Sequence, residues 1–197
     1  MKNIICGTLA ILVATFIAAA MPTEAEARIY EDTLRLHILA ASDKKEDQEL
    51  KLAIRDRLLE KYGEALSGER SVADAASKTQ LLLSNIEADC ERWVKEYGYD
   101  YAVTAELCTE WYETRDYEEF SLPKGEYLSL KIKIGAAEGK NWWCVMFPPL
   151  CLDVATQTPK NDMPSYSKEE TALISDKKYN VKFKLLELFS GAFFKKG

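Results

Sequence analysis

The chain has 197 residues, with 26 lysines and arginines against 32 aspartates and glutamates for a net charge of −6, the wrong sign for a nucleic-acid partner. It holds five cysteines and one histidine, so nitrogen ligands are scarce, and neither a metal nor another cofactor is expected. Its length suits one domain with a single core.

At the N-terminus Lys2 precedes an apolar run from Ile4 to Ala20, then Pro22 and the small-x-small triplet Ala25-Glu26-Ala27. That order is a secretory signal peptide over residues 1–27, which leaves residues 28–197 as a single secreted domain. The run would be roughly 25 Å long as a helix, slightly short of a hydrocarbon core of about 30 Å; a retained N-terminal anchor is the alternative. Export removes Cys6 and leaves Cys90, Cys108, Cys144 and Cys151 in a compartment where disulfides persist. Their spacing lacks the C-x-x-C pairs that zinc sites favour.

The first predicted strand runs from Thr33 to Ala40, where Leu34, Leu36, Ile38 and Ala40 alternate with Arg35, His37 and Leu39. Ser42 and Asp43 then offer N-cap oxygens, with Glu46 placed as in a capping box. The helix that follows carries Leu50, Ile54, Leu58, Tyr62 and Leu66 every four residues and is expected to end at Gly63 or Gly68. Ser71 and Asp74 open a second long helix, striped by Val72, Ala75, Leu82, Ile86, Cys90, Trp93 and Tyr97 and closed by Gly98.

Tyr99 to Trp111 alternates as a half-buried strand, which places Cys108 on its more polar face with Thr104, Glu106 and Glu110. A Cys90–Cys108 bond therefore requires the strand to bulge or fray. Pro123-Lys124-Gly125 is a turn signal before a strand from Glu126 to Ile134, and Gly135 to Lys140 reverses the chain into Asn141 to Phe147, the pattern of an antiparallel hairpin. Two helices between the first strand and three later ones predict an α+β fold: a mostly antiparallel sheet of about four strands with both long helices on one face.

Cys144 and Cys151 bracket Pro148 and Pro149. A straight strand would hold their Cα atoms roughly 23 Å apart, whereas a disulfide needs about 4.4 to 6.8 Å, so bonding requires the reversal that the two prolines favour. Residues 156–168 read as an exposed loop. From Asn180 to Gly197 a basic amphipathic helix is expected, either docked on its own domain or lying on a membrane surface.

His37 is the one imidazole available for nucleophilic catalysis, and its mid-strand position suits a structural histidine. The pairs Glu118-Glu119 and Glu169-Glu170 fall in segments that read as solvated loops, so no catalytic set is assigned. Trp142 and Trp143 are neighbours on a strand and face opposite sides. One of them needs a cover from this chain, from a saccharide or from a protein partner.

Three blocks of residues carry a family resemblance. The first is Leu34-Arg35-Leu36-His37-Ile38-Leu39-Ala40 with Ser42-Asp43, Glu46-Asp47-Gln48, Lys51 and Arg55-Asp56. The second is Leu122-Pro123 with Gly125-Glu126-Tyr127, and the third is Gly139-Lys140-Asn141-Trp142-Trp143-Cys144 through Cys151. With them the chain resembles the stage II sporulation protein R family. It departs from the family pattern where Ala41 replaces the usual Asn and Lys44-Lys45 a common Ser-Pro.

The resemblance implies a forespore protein exported into the space between the two sporangial membranes. There it would trigger a membrane-bound aspartic protease of the mother cell, which processes pro-sigma-E, and would act without chemistry of its own. The residues expected to meet that partner are His37, Asp43, Arg55, Asp56, Glu126, Tyr127, Asn141, Trp142, Trp143, Pro148 and Pro149. The alternative is a cell-wall or saccharide-binding module that stacks sugars on tryptophan.

Overall fold

A computed structural model describes residues 2–20, 23–67, 69–117, 120–149 and 166–175. In chain order the elements are α1 (Lys2–Ala20), α2 (Glu24–Glu31), β1 (Leu34–Leu39), α3 (Lys45–Ser67), α4 (Val72–Glu96), β2 (Val103–Tyr112), β3 (Arg115–Asp116), β4 (Ser121–Leu122), β5 (Gly125–Ile134), β6 (Asn141–Phe147) and α5 (Lys168–Ser175). They fall into two compact units, one of residues 30–112 and 125–167, the other of residues 1–29, 113–124 and 168–197. Of the exposed loop expected at 156–168, residues 156–165 lie outside the described residues, as do Cys151 and the C-terminal helix expected from Asn180, while Tyr166 is buried and Lys168 already begins α5.

The larger unit is α+β, with a four-stranded sheet in the order β2-β5-β1-β6. β1 runs parallel to β5 and antiparallel to β6, and β2 runs antiparallel to β5. Two of the three pairings are thus antiparallel, but the expected hairpin of β5 on β6 does not form, because β1 is inserted between them. The physical reason lies in β1 itself. Leu34, Leu36 and Ile38 are fully buried on one face, and Arg35 and His37 are buried on the other. A strand buried on both faces belongs in the middle of a sheet, and the sequence connecting β5 to β6 spans the extra strand.

Leu34, Leu36 and Ile38 of β1 join Leu130, Ile132 and Ile134 of β5 beneath the two long helices. Each apolar position expected on α3, from Leu50 to Leu66, is buried. On α4 the inward residues are Ala75, Thr79, Ile86, Cys90, Trp93 and Val94, whereas Tyr97 is exposed. The Asp74 N–H donates to Ser71 Oγ at 3.1 Å, the N-cap read from the sequence. At the other end Gly98 takes a φ of +86°, with Gly98 N–H donating to Lys95 O and Tyr99 N–H to Val94 O, a Schellman closure.

The entry to α3 differs from expectation. The Asp43 carboxylate does not cap the helix; its Oδ1 accepts from the backbone N–H of Lys140 at 2.7 Å. Ser42 Oγ donates to Asp47 Oδ2 at 2.5 Å. The helix starts at Lys45 and ends at Ser67, next to Gly68, the second of the two expected stops, so that Gly63 lies inside it. Both Cys90 and Cys108 are free thiols, the first buried on the helix face and pushed up to about 12 by that burial, hence inert.

Polar contacts tie α3 to α4. Asp89 accepts from Lys61, from Tyr62 Oη at 2.5 Å and from Arg92 Nη2 at 2.5 Å, while Glu96 accepts from Arg57 and from Arg92 Nη1 at 3.0 Å. Burial works against an ionised Asp89, but the three donors outweigh it and hold the carboxyl at about 2, below its usual 3.8. A depressed carboxyl contributes stability that is complete above its unfolded value and is lost as the pH falls through the folded one. Thermal unfolding midpoints should therefore fall between about pH 4 and pH 2, and Asp89→Asn should flatten that part of the profile. Equal falls in both proteins would contradict the assignment.

In the smaller unit β3 pairs with β4 antiparallel and Tyr117 stacks on Phe120 at 4.5 Å. Glu169 and Glu170, expected in a solvated loop, open α5 instead. Glu170 is buried, and its Oε1 accepts from Arg28 Nε at 2.9 Å, while the exposed Glu169 accepts from Arg28 Nη2 at 3.1 Å. Acidic residues suit a helix start, where the dipole favours negative charge. Glu118 and Glu119 lie outside the described residues. Among the described residues no helix is long and apolar enough to cross a membrane.

Candidate functional site

The chain that links β5 to β6 is locked onto the junction of β1 and α3. Gly139 N–H donates to Ala40 O at 3.0 Å, and Lys140 is held at both backbone groups, its N–H by Asp43 and its carbonyl by Lys51 Nζ at 2.9 Å. Lys51 also donates to Gln48 Oε1 at 2.7 Å, and Gln48 Nε2 donates to Ser42 O at 2.8 Å. Asp47 completes the set, with Oδ1 accepting from Tyr101 Oη at 3.0 Å. Lys51 is buried, and burial first, then the nearby Arg55 charge, lowers its pKa from the lysine range. These contacts bring together two of the three blocks read from the sequence, 34–56 and the start of 139–151.

The latch sets the start of β6 and so the outlook of both tryptophans. In register Trp142 stands beside Ile38 and Trp143 beside His37, so they lie on opposite faces, as expected from their adjacency. Trp142 is half-buried against the helix-side core, with the Arg55 guanidinium 5.1 Å from its ring centre. Arg55 also donates to Asp56 Oδ1 from Nε at 2.7 Å. Asp56 is exposed on 63% of its side chain. Asp43, Arg55, Asp56, Asn141 and Trp142 therefore gather at one end of the sheet, on its β6 edge.

The other face of the sheet is polar but largely closed. His37 Nδ1 lies 3.1 Å from both carboxylate oxygens of Glu110, and Nε2 lies 2.9 Å from Asn141 Oδ1. Its ring stacks on Trp143 at 5.6 Å and meets Tyr112 edge-on at 6.2 Å. Glu110 accepts in addition from Lys131 Nζ at 2.5 Å. Burial opposes the Glu110 charge, yet the bonds from Lys131 and His37 prevail and lower its pKa, and the same carboxylate raises that of Lys131 against the opposing effect of burial. Further along, Arg35 lies fully buried, 3.8 Å from the Tyr112 ring centre and 5.0 Å from that of Tyr127.

The remaining expected residues are not part of either group. Tyr127 is fully buried, packed edge-on against Tyr30 and Tyr112 at 5.2 and 5.7 Å, so it supports the fold and offers no contact surface. Glu126 is exposed, but it pairs with Trp111 at the opposite end of the sheet from Asn141. Pro148 is buried and Pro149 half-buried just past β6, also at that far end; the Phe147–Pro148 peptide is cis. Cys144 is buried.

Tyr101, Glu110 and Lys131 were not expected at the site, and Asp47 was named only as part of the first family block. Glu110 and Lys131 sit on polar strand faces, but nothing local to them shows that β2 lies two strands from β1. Among the described residues no group of three or more His, Cys, Asp or Glu side chains is arranged to hold a metal. The two tryptophans share no stacking platform, because each faces a different side of the sheet.

This is a small α+β domain in which a mixed sheet is clasped at one end by a polar latch that fixes an aromatic edge strand. A family model described as Stage II sporulation protein R matches residues 30–157, and the chain belongs to that family, which places it among sporulation proteins. Stage II sporulation protein R of Bacillus subtilis (strain 168) is 32% identical over 123 residues, covering 62% of this chain and 55% of the relative; the chain thus spans little more than half of that relative's length. No solved structure matches.

Proposed function

We propose that the chain is a secreted sporulation signal that activates a membrane-embedded aspartic protease of the mother cell, so that pro-sigma-E is processed. Its N-terminal segment directs it to the space between the forespore and mother-cell membranes. The observation that supports this reading most is the family match over residues 30–157, which includes both of the blocks that the latch joins. The binding of His37 at both ring nitrogens by Glu110 and Asn141 agrees with a protein that acts by shape. A ligand shifts a two-state partner only through its differential affinity for the two states, and a fixed surface provides that difference.

The partner-facing surface in this proposal is the exposed end formed by Asp43, Arg55, Asp56, Asn141 and Trp142, with Trp143 behind it. Trp142→Ala should lower pro-sigma-E processing roughly tenfold or more, the effect of losing an aromatic interface anchor worth about 2 kcal/mol, while the variant keeps a cooperative melt. Normal processing by that variant would remove Trp142 from the surface. Closure of Cys144 with Cys151 belongs to the same proposal, since it would fix the chain leaving β6. Intact mass after alkylation should then show two fewer labels without reductant than with it, and equal labelling would refute the bond.

A further inference from the structure

The His37 cluster joins three neighbouring strands and a fourth beyond them through one titratable ring, and its hydrogen-bond polarity is fixed on only one side. Glu110 is an acceptor when ionised, and Lys131 helps to keep it ionised. Nδ1 therefore carries a hydrogen toward Glu110. On the other side Asn141 presents its amide oxygen to Nε2 at 2.9 Å, an arrangement that is satisfied when Nε2 carries a hydrogen as well. Without that hydrogen two acceptors face each other, and the contact survives only if the Asn141 amide turns over to offer its N–H.

Histidine is the side chain whose ordinary titration falls between pH 5 and 8. From β2 the ring faces Glu110 and the Tyr112 edge, with Glu106 further along and paired to Lys133 of β5 at 2.6 Å. From β5 it faces Lys131, its register partner. From β6 it meets Asn141 and Trp143, which do not titrate, and on β1 the next inward residue, Arg35, is engaged with the rings of Tyr112 and Tyr127. Cys108, half-buried on the same face of β2, is a free thiol whose pKa burial and the neighbouring glutamates raise.

We propose that His37 and Asn141 form a proton-operated clasp on the β6 edge: the imidazolium holds the Asn141 oxygen and stacks on Trp143, and the neutral ring releases or reverses the Asn141 amide. The proton leaves from Nε2, on the side of the exposed Asn141, and passes to solvent, while the other hydrogen stays on Nδ1 and remains directed at Glu110. The stacked indole loses a cationic partner in the same step, so both β6 side chains respond together. The clasp sets how Asn141 and Trp143 are presented on the edge strand, and it stands whether or not the chain activates a protease.

Because the chain has a single histidine, ring ¹⁵N signals of the full protein report His37 without ambiguity. Between pH 5 and 8.5 the Asn141 side-chain amide and the Trp143 indole N–H, the latter assigned with Trp143→Phe, should shift with the same midpoint as the ring. Asn141→Asp, whose carboxylate can only accept, should raise the ring midpoint by one pH unit or more. The proposal is overturned if the ring titrates while both β6 signals stay flat, if the ring keeps one protonation state across the range, or if Asn141→Asp leaves the midpoint unchanged.

Discussion

Gly139→Ala is expected to destabilise the larger unit by about 3 kcal/mol, the upper part of the usual cost of overpacking. A Cβ at this position would lie 2.2 Å from the carbonyl oxygen of Ser42 and 2.5 Å from its carbon. Backbone is a poor neighbour to displace, and here it is held, since Ser42 O accepts from Gln48 and Ser42 Oγ donates to Asp47. The turn must lift instead, which breaks the Gly139 bond to Ala40 and loosens the grip of Asp43 and Lys51 on Lys140. Gly98→Ala is the fitting comparison: its φ is +86° but nothing lies within 4 Å of the added carbon, so the cost is the left-handed backbone alone, about 1–2 kcal/mol. Urea unfolding of both variants checks the difference, through midpoints at unchanged slope. A wild-type midpoint for Gly139→Ala would contradict the latch.

The second large effect is expected for Ile38→Ala, at about 3 kcal/mol within the range for deleting a buried aliphatic side chain. Ile38 is fully buried on the central strand and stands in register between Ile132 and Trp142. The cavity would open beside Trp142, its register partner on β6, so the loss of stability should come with a change in tryptophan fluorescence. Leu81→Ala, at a position 83% exposed, should stay within about 0.5 kcal/mol of wild type. Equal midpoints for the two variants would mean that the core is placed wrongly.

Elements whose apolar residues keep one period were legible in the sequence. The stripe from Leu50 to Leu66, the Ser71 cap and Gly98 closure of α4, and the alternation of β1 and β5 stand in the structure, whereas β2 starts only at Val103, past Tyr99 and Tyr101, and its Trp111, expected on the buried face, is exposed while Tyr112 is buried. The strand order was not legible, because pairing is a tertiary choice and the polar look of Arg35 and His37 hid the fact that β1 is buried on both sides. Asp43 illustrates the same limit: by local pattern it caps a helix, yet a backbone N–H nearly a hundred residues later claims its carboxylate. α5 escaped because its segment follows a polar stretch and carries few apolar residues.

The candidate site was half legible for a related reason. Unusual residues such as Trp142 and Trp143 marked the edge strand, and adjacency alone put them on opposite faces. Exposure could not be read in this way. Tyr127 and Pro148, singled out with the others, turn out to be buried, while Glu110, which holds His37, and Lys131, which holds Glu110, come from strands whose neighbours only the fold reveals.

The most direct measurement is co-expression of the full chain, the aspartic protease and pro-sigma-E in cells that do not sporulate. Pro-sigma-E should be cleaved when all three are present and remain intact when this chain is left out, and Trp142→Ala should reduce the cleavage. Cleavage of the same extent without the chain, or none with it, would contradict the proposal that this protein is the activating signal.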